Sequence, residues 1–448
     1  MLSNAVWRFP LLLSILVFIS SASAQSEDNS NKPKFSFRIH GSNTVGEKFA
    51  PDLIKGFLRH KGYMLTQIQA RNSELAAPEL ERMITASNSV SNIEIELFSH
   101  GSSTGFKDLL SEKADIAMSS RQIKQKEKQA LKSLYPSITS DVTEHVIAFD
   151  ALAIILHPDN PIEQLTIAQL AQIYSGEVSN WKVLGGLDQP ISVNARDNNS
   201  GTYDTFKSLV LKPNEVTLAE FARRFESSAE LTQVVTNDIA AVGFVGVSHT
   251  AASKVVAISE SESSVAVIPD EHTIGTEDYP LSRKLFLYLP IEINNGLATE
   301  FVDFSQSTKG QRLAKRSNLV SYFPIKSKPK LANVKLSGQF NNLRTFGERL
   351  SISFKFENDF IDAKNKRDLK RLQNFQTQNP KQRIVLAGFE PNLQTEKSEI
   401  ENWIQLLRSQ ISETSLSAWE VHVGPHSFIG DATQIQQSMD RRIEVWVL

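Results

Sequence analysis

Three times along this chain, a short run of alternating apolar residues stops at a cluster of glycine and small hydroxyl residues. An amphipathic helical pattern begins directly after each cluster. Phe35, Phe37 and Ile39 alternate before Gly41-Ser42-Asn43-Thr44-Val45, which opens a helix carrying Phe49, Leu53 and Phe57. Ile93, Ile95 and Leu97 alternate before Gly101-Ser102-Ser103-Thr104-Gly105, which opens a helix carrying Phe106, Leu109 and Leu110. Ile191, Val193 and Ala195 alternate before Arg196 and Ser200-Gly201-Thr202, which open a helix carrying Phe206 and Val210. A switch from period 2 to period 3.6 marks a strand running into a helix, and its recurrence over residues 35 to about 325 restricts this region to an α/β fold. Each junction sets the unpaired N–H groups of a helix start beside hydroxyls and glycine, at the carboxyl end of a strand. Such ends carry partial positive charge and suit anions, and in open α/β sheets ligands lie in the crevice outside those strand ends. One Ser-Gly turn would be an ordinary cap; three of them point to a shared anion site.

A fourth junction, Ala114-Asp115-Ile116-Ala117-Met118-Ser119-Ser120-Arg121, reads as a short strand before a charged helix from Gln122 to Leu134. It places Arg121, like Arg196, at a strand end next to hydroxyls. A guanidinium fork matches two oxygens of a tetrahedral anion at once. The alternative for each arginine is a surface ion pair, an alternative with more force for Arg121 than for Arg196, which adjoins the Ser-Gly-Thr turn.

The 448 residues carry a formal net charge of -2 and include no cysteine. The near-zero charge argues against nucleic acid as a partner, which would need a basic face. The lack of Cys excludes disulfides, thiolate metal sites and a cysteine nucleophile. Arg8, the apolar run from Leu11 to Ile19 and the small residues Ala22 and Ala24 read as a secretory signal peptide, residues 1–24, followed by a polar leader, residues 25–34. The expected location is the periplasm, with a cell-wall or outer-membrane association open. Gly101-Ser102-Ser103-Thr104-Gly105 also fits the G-x-S-x-G pattern of hydrolases, with His145, His157 and His249 downstream. The anion cradle accounts for all three junctions and the hydrolase for one, so the reading is a binding protein and not an enzyme, with no cofactor. His422 and His426 are separated by Gly424 and Pro425, which prevent a helix, so no metal site is assigned.

Ile325-Lys326-Ser327-Lys328-Pro329-Lys330-Leu331-Ala332 is basic and aperiodic, and residues 326–337 are taken as a linker. Residues 338–448 then read as a small α+β unit of order β-α-β-α-β-β: a strand at 351–356, a helix with Leu369, Leu372 and Phe375, a strand from Arg383, a helix with Ile400, Ile404, Leu407 and Ile411, and strands at 421–423 and 442–447.

The motifs of the first region, together with Phe149-Asp150-Ala151-Leu152, Asn180-Trp181-Lys182-Val183-Leu184-Gly185-Gly186 and Tyr279-Pro280-Leu281-Ser282-Arg283, resemble the PstS-type phosphate-binding proteins of ABC transporters. The resemblance spans about residues 35–325. It implies a two-lobed periplasmic binding protein fold of type II that closes on phosphate or a related tetrahedral oxyanion. One lobe would comprise 35–147 and 255–325 and the other 148–254, with crossings near 145–150 and 245–265. It further implies that Thr44 and Val45 contact the anion from the first loop, Ser102 (with Ser103 beside it) from the second, Arg196 as the gripping guanidinium, and Ser200, Gly201 and Thr202 as a helix-terminus cradle. Where several relatives have an Asp that accepts the proton of hydrogen phosphate, this chain has Ser120, followed by Arg121; other relatives share the Ser-Ser-Arg form. Asp150, or else Asp197, is then the candidate acceptor. The C-terminal unit is similar to OmpA-like peptidoglycan-binding domains, above all in Asp440-Arg441-Arg442-Ile443-Glu444. Its ligand motif is altered to Gly388-Phe389-Glu390-Pro391, and Glu399 falls where that family has Arg, which leaves Arg441 and Arg442 as the candidate contacts.

These readings combine into a periplasmic solute-binding protein that captures an oxyanion for uptake or sensing, with an ABC permease or a sensor as a partner and an envelope-anchoring tail. The alternative is a structural, peptidoglycan-associated protein whose binding lobe is vestigial.

Overall fold

The computed structural model describes residues 34–71, 80–198, 200–328, 342–343, 345–355, 362–389, 397–410, 419–424 and 442–448. The expected signal peptide and most of the leader, and Arg441, lie outside the described residues.

The alternating runs form strands because one face of each is buried. In β1 (Lys34–Gly41), β2 (Leu65–Ala70), β3 (Glu81–Ser87), β4 (Asn92–Phe98) and β5 (Ile116–Ser119), the side chains of Phe37, Ile39, Ile84, Ile93, Ile95 and Leu97 are buried. A 13-residue strand, β6 (Glu144–Leu156), leads away from this lobe. The second lobe holds β7 (Gln164–Thr166), β8 (Ser192–Arg196), β9 (Arg223–Phe225), β10 (Ala241–Gly246), β11 (Lys254–Val255) and β12 (Ala257–Ser259), and β13 (Ser282–Tyr288) returns to the first. One sheet runs through both lobes in the order β2-β3-β4-β1-β5-β13-β6-β10-β8-β9. β1 is parallel to β4 and β5, and β8 is parallel to β9 and β10, so within each lobe these strands end on the same edge. β6 is antiparallel to both β13 and β10: its first half pairs in one lobe and its second half in the other.

The two crossings are thus β6 and the segment that precedes β13. The second departs from expectation. β12 pairs with β7, Ile258 bridges to Val267, and β11 pairs with the end of β6, so the chain leaves the second lobe after Val267 and not near residue 255.

Helices cover the sheet faces. Those that matter here are α1 (Ala50–His60), α2 (Ser102–Leu110), α3 (Gln125–Leu131), α4 (Ile167–Ser175), α5 (Gly201–Phe206), α6 (Ser228–Asn237) and α7 (Glu271–Gly275). The charged helix begins at Gln125, three residues later than the sequence suggests, because Lys124 is extended and its N–H donates to Glu127 Oε2 at 2.9 Å. No described helix is long and apolar enough to cross a membrane.

The C-terminal unit has β15 (Glu348–Lys355), then a helix Ala363–Gln378, β16 (Ile384–Phe389), a helix Lys397–Ser409, β17 (Trp419–Gly424) and β18 (Arg442–Val447). The element order is the expected β-α-β-α-β-β. Its core gathers Leu350, Ile352, Leu372, Ile400, Ile404 and Ile443. β14 (Lys326–Ser327) joins this sheet on the edge of β15, so the start of the expected linker is a strand.

Candidate functional site

The first loop depends on its glycine. Gly41 has φ +141, and a Cβ there would lie 2.1 Å from Met118 O, so only glycine lets β1 end this close to β5. Ser42 N then donates to Met118 O at 3.0 Å, and the chain passes Thr44 into the helical turn Val45–Phe49 and α1. At the second junction the residue before α2 is Gly101, at φ 113, and Ser102 and Ser103 begin the helix. Ser102 Oγ accepts from Ser120 N at 3.1 Å and lies 3.5 Å from Ser120 Oγ, which joins the second loop to the Ser-Ser-Arg turn. At the third, Ser200 caps α5 by accepting from Thr202 N at 3.2 Å.

The lobes meet at Thr44 and Gly201. A Cβ on Gly201 would stand 3.0 Å from Thr44 Oγ1. Arg283, on β13, fills this contact: its Nη2 donates to Thr44 Oγ1 at 2.8 Å and to Gly201 O at 3.5 Å. The same guanidinium pairs with Asp150 on β6, with Nε 3.1 Å and Nη2 3.0 Å from Oδ2. The β6–β13 register sets Arg283 directly opposite Asp150. The Arg283 side chain is only 8% exposed, yet among the described residues its Nη1 has no partner, nor does Asp150 Oδ1. A donor on Arg283 and an acceptor on Asp150 thus remain at the lobe contact without a protein partner. Asn43 Oδ1, in the first loop, is fully buried and has no partner among the described residues.

The two arginines singled out from the sequence are engaged elsewhere. Arg196 ends β8 as expected, but Nε donates to Phe225 O at 3.2 Å, Nη2 to Glu226 O at 2.6 Å and Nη1 to Ser228 Oγ. Its guanidinium therefore braces the loop before α6. Burial lowers its pKa, opposed by Asp197, Glu47 and Glu226. His249, near Arg196 and Lys48, is also held below its ordinary value, first by burial and then by those two cations. Arg121 forms a two-point pair with Glu127, at 2.8 and 2.7 Å, and donates to Ser103 Oγ at 2.9 Å, so it fixes the start of α2. Burial alone would raise the Glu127 pKa; the bonds from Arg121 and Lys124 N outweigh it and leave the carboxyl below its usual range. For Arg121 the ion-pair alternative is the one realised.

Thr44, Ser102, Ser120, Ser200, Gly201, Thr202 and Asp150 accordingly lie at strand ends or at the crossing strand, with Val45 buried behind them. Arg283 is the residue that sequence reasoning missed. It belongs to a quoted motif, but Ser282-Arg283-Lys284 has no hydroxyl cluster and reads as plain strand.

In the C-terminal unit, Arg442 is a correction. It was a candidate peptidoglycan contact, but it is fully buried, with Nη1 3.1 and 3.2 Å from the two oxygens of Asp278 and Nη2 2.6 Å from Glu444. Among the described residues, no group of His, Asp and Glu is placed to hold a metal ion.

Two α/β lobes joined by two crossings, with hydroxyls and a guanidinium–carboxylate pair at their contact, define a solute-binding protein of the two-lobed class. Comparison with known proteins agrees. A family profile described as a PBP superfamily domain matches residues 59–309. The phosphate-binding protein PstS of Pseudomonas aeruginosa is 30% identical over 258 residues, 53% of this chain and 76% of that one. PstS of Borreliella burgdorferi is 28% identical over 257 residues, 55% of this chain and 87% of that one. A crystal structure of a possible phosphate binding protein from Planctomyces limnophilus is 25% identical with a TM-score of 0.51, and covers 65% of this chain and 94% of that one. The chain belongs to the PBP superfamily and, within it, to the family of PstS phosphate-binding proteins. These matches cover the two lobes; they do not show an OmpA-like identity for the C-terminal unit.

Proposed function

We propose that this protein captures phosphate between its lobes, outside the cytoplasm, and passes it on without chemical change to a permease or a sensor. The observation that carries this reading is the Arg283–Asp150 pair at the contact of Thr44 with Gly201: its side chains are 8% and 18% exposed, and Nη1 and Oδ1 have no protein partner among the described residues. Neither atom is sealed from solvent, so water serves them until a ligand that bears acceptor oxygens and a proton takes its place. Hydrogen phosphate has that complement and sulfate lacks the proton, so the acceptor-only Asp150 carboxylate takes the discriminating role that the Ser120 hydroxyl, which can also donate to sulfate, does not fill. The hydroxyls of Thr44, Ser102 and Ser120 and the N–H groups opening α5 supply further donors. Family membership supports the same ligand.

Titration calorimetry with phosphate and with sulfate tests this. Phosphate binds and sulfate does not, and Arg283→Ala weakens phosphate about 100-fold or more while Arg196→Ala costs less than tenfold, because Arg196 is held by its own lobe. Asp150→Asn narrows the discrimination between the two anions. No heat with either anion at millimolar concentration would reject the reading, and the larger loss falling on Arg196→Ala would reject the assignment of Arg283.

The envelope-anchoring role of the C-terminal unit now rests on Arg441 and on the order of its elements. Retention of the full chain on purified peptidoglycan checks it, and no retention removes it.

A further inference from the structure

The C-terminal domain does not hang from the binding lobes as a separate tail. Four of its elements grip one short stretch of the second crossing, just ahead of β13. Ser327 of β14 meets His272 Nδ1 at 2.8 Å, and Arg371 of the helix Ala363–Gln378 donates to Gly275 O at 3.1 Å. Ser353 of β15 donates to Thr276 O at 3.3 Å, and Arg442 of β18 holds both oxygens of Asp278. The fit is tight, since a Cβ on Gly275 would come within 2.9 Å of the Ser351 side chain.

The same domain also holds the first crossing. Arg367 pairs with Glu144, the first residue of β6, at 3.0 Å. The Arg371 guanidinium lies 5.2 Å from the centre of the Phe149 ring, and Phe149 immediately precedes Asp150. Beyond Asp278 the chain has no slack: Tyr279 OH donates to Leu152 O at 2.7 Å, Leu152 N donates to Leu281 O at 3.0 Å, and Arg283 follows opposite Asp150. The gripped segment therefore ends five residues before one half of the site's ion pair and touches the neighbour of the other half.

We infer that the C-terminal domain is a brace across both interlobe crossings, which holds the lobes in their touching arrangement and so couples its own docking to ligand capture. The inference rests on the interlobe cleft being the ligand site. If docking favours the closed lobes, loss of docking lowers the fraction of binding-competent protein and raises the apparent Kd by that factor. By reciprocity the ligand tightens docking to the same extent. A tether that merely anchored the lobes would give neither effect.

The test uses the full chain, which has no native cysteine. Spin labels are placed through Lys107→Cys on α2 and Gln233→Cys on α6, both exposed and in opposite lobes. Interlabel distances are measured without and with inorganic phosphate, in the parent and in Arg371→Ala, Asp278→Asn and the double variant. Amide exchange over residues 272–279 reports the grip, and near-ultraviolet circular dichroism reports folded lobes. The brace predicts one narrow distance in the parent, a longer and broader one in the phosphate-free variants, recovery with phosphate, and a phosphate Kd raised about 5- to 30-fold. An unchanged distance distribution in the double variant overturns the inference, whether exchange over 272–279 rises or stays as in the parent: in the first case the grip is lost without effect, and in the second these contacts are not what holds the crossing. Absence of phosphate binding in the parent would instead defeat the ligand reading, and the phosphate-free distances would still decide the brace.

Discussion

The cleft between the lobes and the seam between the domains both collect arginines and carboxylates, and they complete them differently. At the cleft, Arg283 and Asp150 each keep one polar atom without a protein partner, and the Asp150 side chain is 18% exposed. At the seam, Asp278 is bonded by Arg442 and Thr276, with Lys355 and Arg349 at 3.3 and 3.7 Å, and its side chain is 2% exposed. Burial would raise the Asp278 pKa; the surrounding cations drive it far below the usual carboxylate range. A carboxylate bonded on both oxygens and closed off from water, as Asp278 is, favours one permanent arrangement, because removing a partner leaves charge buried and unpaired; nearby at the seam, Arg371 Nη2 and His272 Nε2 are buried with no partner among the described residues. A pair that solvent still reaches, as at Arg283 and Asp150, can be completed from outside. The distinction lies in access: the Asp278 side chain is 2% exposed and the Asp150 side chain 18%, with the same residue types in both places.

The largest expected effect sits at the seam. Asp278→Ala lowers unfolding free energy at neutral pH by about 3–5 kcal/mol, as for other broken buried pairs, whereas Asp150→Ala costs about 1–3 kcal/mol, because Arg283 keeps its bonds to Thr44 Oγ1 and Gly201 O. Equal losses in denaturant titrations would break the comparison. Acid should also find the seam first. His145, in a cavity of about 300 Å³ at the junction, is held down to about 4 by burial and then by Lys370 of the C-terminal domain, with Asp303 and Gln306 opposing. Its folded pKa lies below its unfolded value, so the stability it supports is present above about pH 6.5 and is lost as pH falls toward 4, on the order of 1–3 kcal/mol. Thermal unfolding at stepped pH should show this slope, and His145→Gln should flatten it. The smallest effect belongs to the cleft. Thr44→Val removes one hydroxyl at the lobe contact and should weaken phosphate roughly 5- to 10-fold, about 1 kcal/mol, with no change in the denaturation midpoint. A shifted midpoint would mean that the cleft, too, is structural.

The strand-to-helix junctions were legible from the sequence because their signal is local: apolar period, glycine and hydroxyls all lie within about ten residues at Gly41, Gly101 and Ser200. Arg283 was not, because what makes it special is register. It stands 133 positions from Asp150, and only the β6–β13 pairing brings them together. Arg442 presents the same difficulty on a larger scale, since Asp278 is 164 positions away and in another domain. For Arg121 both readings could be stated in advance, and a residue six positions on, Glu127, decided between them. The second crossing lies later than the sequence suggests because β11 and β12 are two and three residues long and carry little periodic signal of their own.

β6 gives half its length to each lobe, and one continuous apolar core includes Phe106 and Ala117 of the first lobe together with Tyr174, Phe206 and Phe244 of the second. The lobes are therefore not modules that could be expressed or exchanged separately. A cut anywhere between residues 144 and 156 would strip an interior strand from one half and expose a raw sheet edge in both, inviting aggregation. Synthesis imposes the same dependence in time: the sheet of the first lobe stays incomplete until β13, at residues 282–288, has left the ribosome, so the lobe begun first must wait for the lobe begun second.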